Sequence, residues 1–125
     1  MKDLTYSKLE LAGAVPKSLN ELFAMSHWAR RRYKEDVSNL IFYEAKLQKP
    51  GPALGKCKIK FELYFSKNRK RDYDNFLGGL KFWIDGLRYA KLITEDNSEV
   101  LTGLSVEFYQ SEKESTIIKI FDEPE

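Results

Sequence analysis

From Cys57 to Phe65 the chain alternates without a break: Cys57, Ile59, Phe61, Leu63 and Phe65 fall on one side, and Lys58, Lys60, Glu62 and Tyr64 on the other. A period of two with one apolar side predicts a strand that buries one face. Pro50-Gly51-Pro52 breaks the chain just before it. Leu104, Val106 and Phe108 alternate with Ser105, Glu107 and Tyr109, which predicts a second strand. Thr116 to Phe121 is rich in β-branched residues and predicts a third, with residues 111–115 (Ser-Glu-Lys-Glu-Ser) as the polar turn of a hairpin between them. A short early strand is expected around Lys8 to Ala12. The period changes to that of a helix from roughly Ser26 to Lys46, where Tyr33, Val37, Leu40, Ile41 and Leu47 share a side and Ser26 stands ready as a cap. A second helix is expected from about Asn75 to Ala90, because Phe76, Leu80, Trp83, Ile84 and Leu87 form an amphipathic stripe. The adjacent Gly78-Gly79 weakens its first turn or lets another backbone come close. The predicted order is (β)αβαββ, an α/β (α+β) domain with a mixed sheet of about four strands and two main helices.

A length of 125 residues points to one domain, residues 1–125, around one core. With 42% hydrophobic and 32% charged residues the composition is that of a globular chain, not a disordered one. No stretch approaches the roughly 20 apolar residues of a membrane span. The segment Met1 to Tyr6 has no apolar core of a secretion signal, so a cytoplasmic location is expected. Cys57 is the single cysteine, which excludes an internal disulfide, and it sits in phase with the strand's buried side. His27 is the single histidine, so a histidine-based metal site is excluded as well.

The net charge is only +2, but it is unevenly spread. Glu107 to Glu125 holds six acids and two bases, which leaves 19 bases and 13 acids upstream. Arg30, Arg31, Arg32 and Lys34 form one cationic cluster, and Lys67, Arg69, Lys70 and Arg71 form the other. Clusters of this kind suit a phosphate backbone, although either alone reads equally well as a solvated surface. The second cluster runs into Asp72-Tyr73-Asp74, between the end of a strand and the start of a helix. In extended backbone the side chains of residues i and i+2 project to one side, so both carboxylates would reach one cation. Mg²⁺ suits such a pair, since it accepts a few carboxylate oxygens and keeps water and substrate phosphate as further ligands. The polar turn Thr94 to Glu99 offers a third acid. Other readings stand beside this one. Asp74 or Asn75 can be a helix cap, a lone Asp-x-Asp can be plain surface, and Lys81 with Asp85 can be a helix-surface ion pair. No Walker motif, glycine-rich phosphate loop or nucleophile elbow is present, which argues against an NTPase, a kinase or a serine hydrolase.

Three strings taken in order, Arg71-Asp72-Tyr73-Asp74-Asn75, Lys81-Phe82-Trp83-Ile84-Asp85-Gly86-Leu87 and Leu92-Ile93-Thr94-Glu95-Asp96-Asn97, resemble the RusA family of Holliday junction resolvases. The resemblance covers residues 58–109 and, loosely, the basic helix around Trp28 to Glu35. It implies a small α/β homodimer that nicks four-way DNA junctions with Mg²⁺, with Mn²⁺ as a possible substitute. It further implies Asp72, Asp74 and Asp96 as metal ligands and Lys81 as the catalytic lysine. Lys67, Arg69, Lys70 and Arg71 would seat the DNA backbone, and Arg30, Arg31 and Arg32 would contact a second arm. The long first helix and Phe76, Phe82 and Trp83 would supply apolar surface for a dimer. The alternatives are a branched-DNA binding module without catalysis and a small phage-encoded interaction protein.

Overall fold

The structure is a computed structural model and describes residues 6–53 and 55–123. Met1 to Thr5 and Glu125, which entered the localisation and charge readings, lie outside the described residues. The elements run β1 (Tyr6–Ala12), α1 (Leu19–Ala24), α2 (His27–Gln48), β2 (Cys57–Phe65), α3 (Tyr73–Gly78), α4 (Lys81–Tyr89), β3 (Leu101–Gln110) and β4 (Ser115–Asp122). They make a mixed α+β fold: one four-stranded sheet in the order β1-β4-β2-β3. β2 pairs parallel with β3 and antiparallel with β4, and β1 pairs antiparallel with β4.

The alternating face of β2 is the centre of the core. Ile59, Phe61, Leu63 and Phe65 are buried together with Leu9 and Leu11 of β1, Val106 of β3 and Ile118 and Ile120 of β4. Helices α2 and α4 cover this face. All five residues of the amphipathic stripe, Phe76, Leu80, Trp83, Ile84 and Leu87, are buried, and the Trp83 ring meets Phe61 edge-on at 6.5 Å. Helix α2 begins where the sequence puts it, with the Ser26 hydroxyl accepting from the Ala29 N–H. Val37 and Ile41 are buried as expected, but Leu47 is exposed, because it lies beyond the part of α2 that α4 covers. Cys57 is buried, and that burial pushes its thiol pKa up.

Three departures from the sequence reading matter for function. The expected hairpin between β3 and β4 does not form, because β2 lies between them. Residues 111–114 instead arch over the C-terminal end of β2, and the Ser111 N–H donates to the Phe65 carbonyl at 2.9 Å. A short polar turn looks the same in sequence whether it joins neighbours or steps over one strand. The helix expected over 75–90 is two helices broken at Gly79-Leu80. A Cβ on Gly79 would sit 2.1 Å from the Lys17 carbonyl oxygen, so the break is where the backbone of residues 17–18 comes in close. Third, α1 precedes α2, announced by a capping box in which the Ser18 hydroxyl accepts from the Glu21 N–H and Glu21 Oε1 accepts from the Ser18 N–H.

Candidate functional site

The arch, the end of β2 and the incoming segment 13–18 enclose a cleft of about 800 Å³. One wall is Gly13 to Ser18 with Glu21; the other is Phe65 to Lys67 and Arg69 to Asp72; Glu114 of the arch and Tyr33 of α2 complete it. The first wall is tied down at several points. The Gly13 N–H donates to the Glu114 carbonyl at 2.9 Å, the Thr116 hydroxyl donates to the Ala14 carbonyl at 2.7 Å, and the Lys17 N–H donates to the Tyr33 hydroxyl at 3.0 Å. Tyr33 also accepts from the Trp83 indole at 2.8 Å, so one phenol joins the cleft wall to both covering helices. Burial raises the Tyr33 pKa, which keeps the phenol neutral in this position.

The second wall is shaped by Arg71. Its guanidinium lies 3.7 Å from the centroid of the Phe65 ring and donates to the Arg69 and Lys67 carbonyls, both at 3.1 Å. Desolvation against that ring, and then the neighbouring Arg69, lower the Arg71 pKa. Arg71 therefore spends two of its donors holding the loop in shape, whereas Lys67, Arg69 and Lys70 are exposed and form no ion pair among the described residues. Lys17, which the sequence reading passed over, adds a cation to the opposite wall.

Asp72 lines this cleft as the N-cap of α3. Its carboxylate makes no capping hydrogen bond and no ion pair among the described residues, so it is exposed and unengaged. Helix α3 starts one residue later, at Tyr73, which puts Asp74 in its first turn. The extended backbone assumed for the pair therefore ends at Asp72, and the shared projection of i and i+2 side chains does not carry through to Asp74. Asp74 Oδ1 accepts from the Asn75 N–H at 2.9 Å. Asn75 Oδ1 accepts from the Asn20 N–H at 3.0 Å, which fixes α1 against α3.

Asp96 is elsewhere. The β2-α3-α4-β3 unit is a parallel crossover, so the chain leaves the C-terminal end of β2 and returns to its N-terminal end. There the Cys57 N–H donates to the Val100 carbonyl and the Ala53 N–H donates to the Leu92 carbonyl. A nine-residue strand spans roughly 26–30 Å. The turn holding Asp96 thus sits at the far end of β2 from Asp72, and its carboxylate is 3.6 Å from Arg88. Among the described residues no group of three or more His, Cys, Asp or Glu side chains is placed to hold one metal ion. A single chain offers the Asp72 carboxylate at the cleft, while Asp74 is absent from its lining, so the expected pair is not brought together there; one carboxylate is still within what Mg²⁺ accepts. It does not assemble the expected set of three.

Lys81 is the first residue of α4, is absent from the cleft lining, and pairs with Asp85 at 3.7 Å while 72% exposed. The helix-surface reading describes it as it stands. Of the other cluster, Arg30 Nη1 donates to the Leu22 carbonyl at 3.5 Å, Arg31 pairs with Glu35 at 3.6 Å, and Arg32 is exposed without an ion pair among the described residues. Of the apolar surface expected for a dimer, the long helix α2 does expose apolar side chains, but the three aromatics expected beside it are not exposed. Phe76 and Trp83 are buried and Phe82 is half-buried against Tyr33, while Trp28, Phe42, Tyr43, Leu47 and Tyr89 are the exposed large apolar side chains on α2 and α4.

No protein-family model matches the chain, and no curated protein matches it. Among the described residues no helix is long and apolar enough to cross a membrane.

Proposed function

We propose that this protein binds branched DNA in the cleft at the C-terminal end of β2 and nicks the phosphodiester backbone there, as a Mg²⁺-dependent homodimer of the RusA kind. The observation that carries this reading is an unengaged Asp72 carboxylate among Lys17, Lys67, Arg69, Lys70 and Arg71 in one cleft. A carboxylate in a cationic cleft would ordinarily be drawn into an ion pair; left open, it is available to a metal that a phosphate also reaches. Bound Mg²⁺ supplies an acidified water and positive charge beside the phosphate. The chain's own part is to hold that ion with Asp72, to seat the strand with Lys17, Lys67 and Lys70, and to keep the loop rigid through Arg71.

The third acid is reconciled with the fold by the dimer. A two-fold axis running across β2 would set the β2 strands of the two copies antiparallel. The Asp72 end of one β2 then meets the Asp96 end of the other, and each site draws on both copies. This arrangement has a direct test. Asp72→Asn and Asp96→Asn proteins, each inactive alone, are mixed, allowed to exchange subunits and given a labelled four-way junction with Mg²⁺. A shared site restores nicking to roughly a quarter of the wild-type level, because about half the dimers are mixed and each mixed dimer has one intact site. Sites confined to single chains give no restoration. If the wild-type protein never nicks the junction, the enzymatic reading fails outright.

A second reading, a branched-DNA binding module without catalysis, is favoured by one observation: Asp96 is paired with Arg88, and no three-acid group exists among the described residues. It predicts junction binding that is indifferent to chelators and no nicks at any metal concentration.

A further inference from the structure

The two tryptophans of this chain have opposite surroundings. Trp83 is 1% exposed, and its indole donates to Tyr33. Trp28 is 73% exposed, packs only edge-on against its neighbour His27 at 5.7 Å, and donates to no acceptor among the described residues. It contributes little to the fold. Trp28 instead lines a groove of about 470 Å³ with Ala29, Arg31, Arg32 and Glu35.

The charge around that indole is one-sided. Residues 26–34 hold four cations and no acid. Arg31 is committed to Glu35, and Arg30 reaches back to a backbone carbonyl. Arg32 remains open, one helical turn along from Trp28, where residues i and i+4 share a face. The first turn of α2 has no acidic residue, so the positive end of the helix adds to the field. An aromatic plane beside an open guanidinium matches one chemical partner well: a nucleotide whose base is free to stack and whose phosphate is close by. Bases inside a duplex already stack on one another and show no face to an indole.

We propose that Trp28 and Arg32 form a platform for an unpaired nucleotide, Trp28 stacking on the base and Arg32 taking the adjoining phosphate. The preferred DNA then carries a single-stranded segment or end beside the duplex that occupies the cleft. This deepens the DNA reading given above and rests on it for the identity of the polymer, but not on metal or cleavage.

The test uses the whole protein in EDTA with a short oligothymidylate and, separately, a blunt duplex of equal length. Trp83 is enclosed, so fluorescence quenching on binding reports Trp28. The single strand is expected to quench and the duplex is not. In Trp28→Phe the quenching disappears, while the remaining blue-shifted Trp83 emission shows that the core is intact. Trp28→Ala is expected to weaken oligothymidylate binding roughly tenfold, the usual loss for one stacked base, as read by anisotropy. Equal quenching by both DNAs, no quenching by either, or unchanged affinity in Trp28→Ala overturns the platform. So does shielding of Trp28 from iodide before any DNA is added, which would mean that a protein surface covers it. Nicking is read separately in the Mg²⁺ junction assay above: missing nicks there with intact quenching here count against the nuclease alone, and nicks there without quenching here count against the platform alone.

Discussion

The two ends of β2 carry similar numbers of charges and use them in opposite ways. At the N-terminal end the charges cancel locally: Arg88 stands 3.8 Å from Glu95 and 3.6 Å from Asp96, and Lys58 stands 3.3 Å from Glu123, which also accepts from the Thr102 hydroxyl. At the C-terminal end Lys67, Arg69, Lys70 and Arg71 follow one another with Asp72 as the nearest acid in sequence, and the Arg71 pKa is lowered in part by Arg69. Exposed ion pairs contribute little to stability, and they leave a surface nearly neutral. Crowded like charges raise the energy of the free protein, and a polyanion relieves them. One end is neutralised as folded; the other keeps an uncompensated positive field, which is what the proposed function uses.

The sharpest way to break this contrast is to remove cations at each end in turn. Lys67→Ala with Lys70→Ala is expected to weaken binding to any DNA roughly tenfold or more and to lower the slope of log affinity against log salt by about two. Lys58→Ala at the paired end leaves that slope unchanged. A salt titration followed by anisotropy measures both, and equal slopes for the two variants would remove the distinction.

An effect of similar size, on stability and not on binding, is expected from the wall itself. Gly79→Ala drives a methyl into the Lys17 carbonyl, and since backbone cannot swing aside as a side chain does, it should cost roughly 1–3 kcal/mol. Chemical denaturation reads that loss. Gly13→Ala provides the contrast, since a Cβ there meets nothing within 4 Å and only its φ of +76° is disfavoured.

The smallest effect concerns paired charges on the sheet. The Tyr109 hydroxyl and then the Lys60 ammonium, at 2.9 Å, hold the Glu107 carboxyl below its usual pKa. Its contribution to stability is therefore complete above the ordinary carboxylate range and fades as pH falls through the depressed value. Glu107→Gln should flatten the acid limb of a stability-against-pH curve by about a few tenths of a kcal/mol, because the pair is largely in water. Identical acid limbs for the two proteins would show that the pair contributes nothing.

Much of the fold was legible because alternation and helical stripes are local. Cys57 to Phe65 matches β2 residue for residue, and every member of the 76–87 stripe is buried. What local pattern does not carry is which strand lies beside which. The hairpin expectation failed for that reason, and for the same reason a single chain does not bring Asp96 to Asp72. That grouping came from the family resemblance; spacing left open where the acidic turn lies, and the parallel crossover sends it to the opposite end of the sheet. Some missed features did leave signals. Ser18-x-x-Glu21 announces α1, and Gly78-Gly79 marks the approach of a second backbone. The open state of Asp72 and the exposure of Trp28 depend on what fails to pack against them, which no residue pattern states.

Strand order also bears on how the chain is made. Among the described strands β1 pairs only with β4, and β4 reaches the sheet by passing over β2. Since β1 is synthesised before β4, its one partner among the described strands, it stays unpaired in this sheet until β4 has been made. The closing event, β4 sliding between β1 and β2, both completes the core and raises the arch that roofs the cleft. The cleft at the C-terminal end of β2 is thus complete only when β4 has paired, and until then β1 and β2 each keep an open edge.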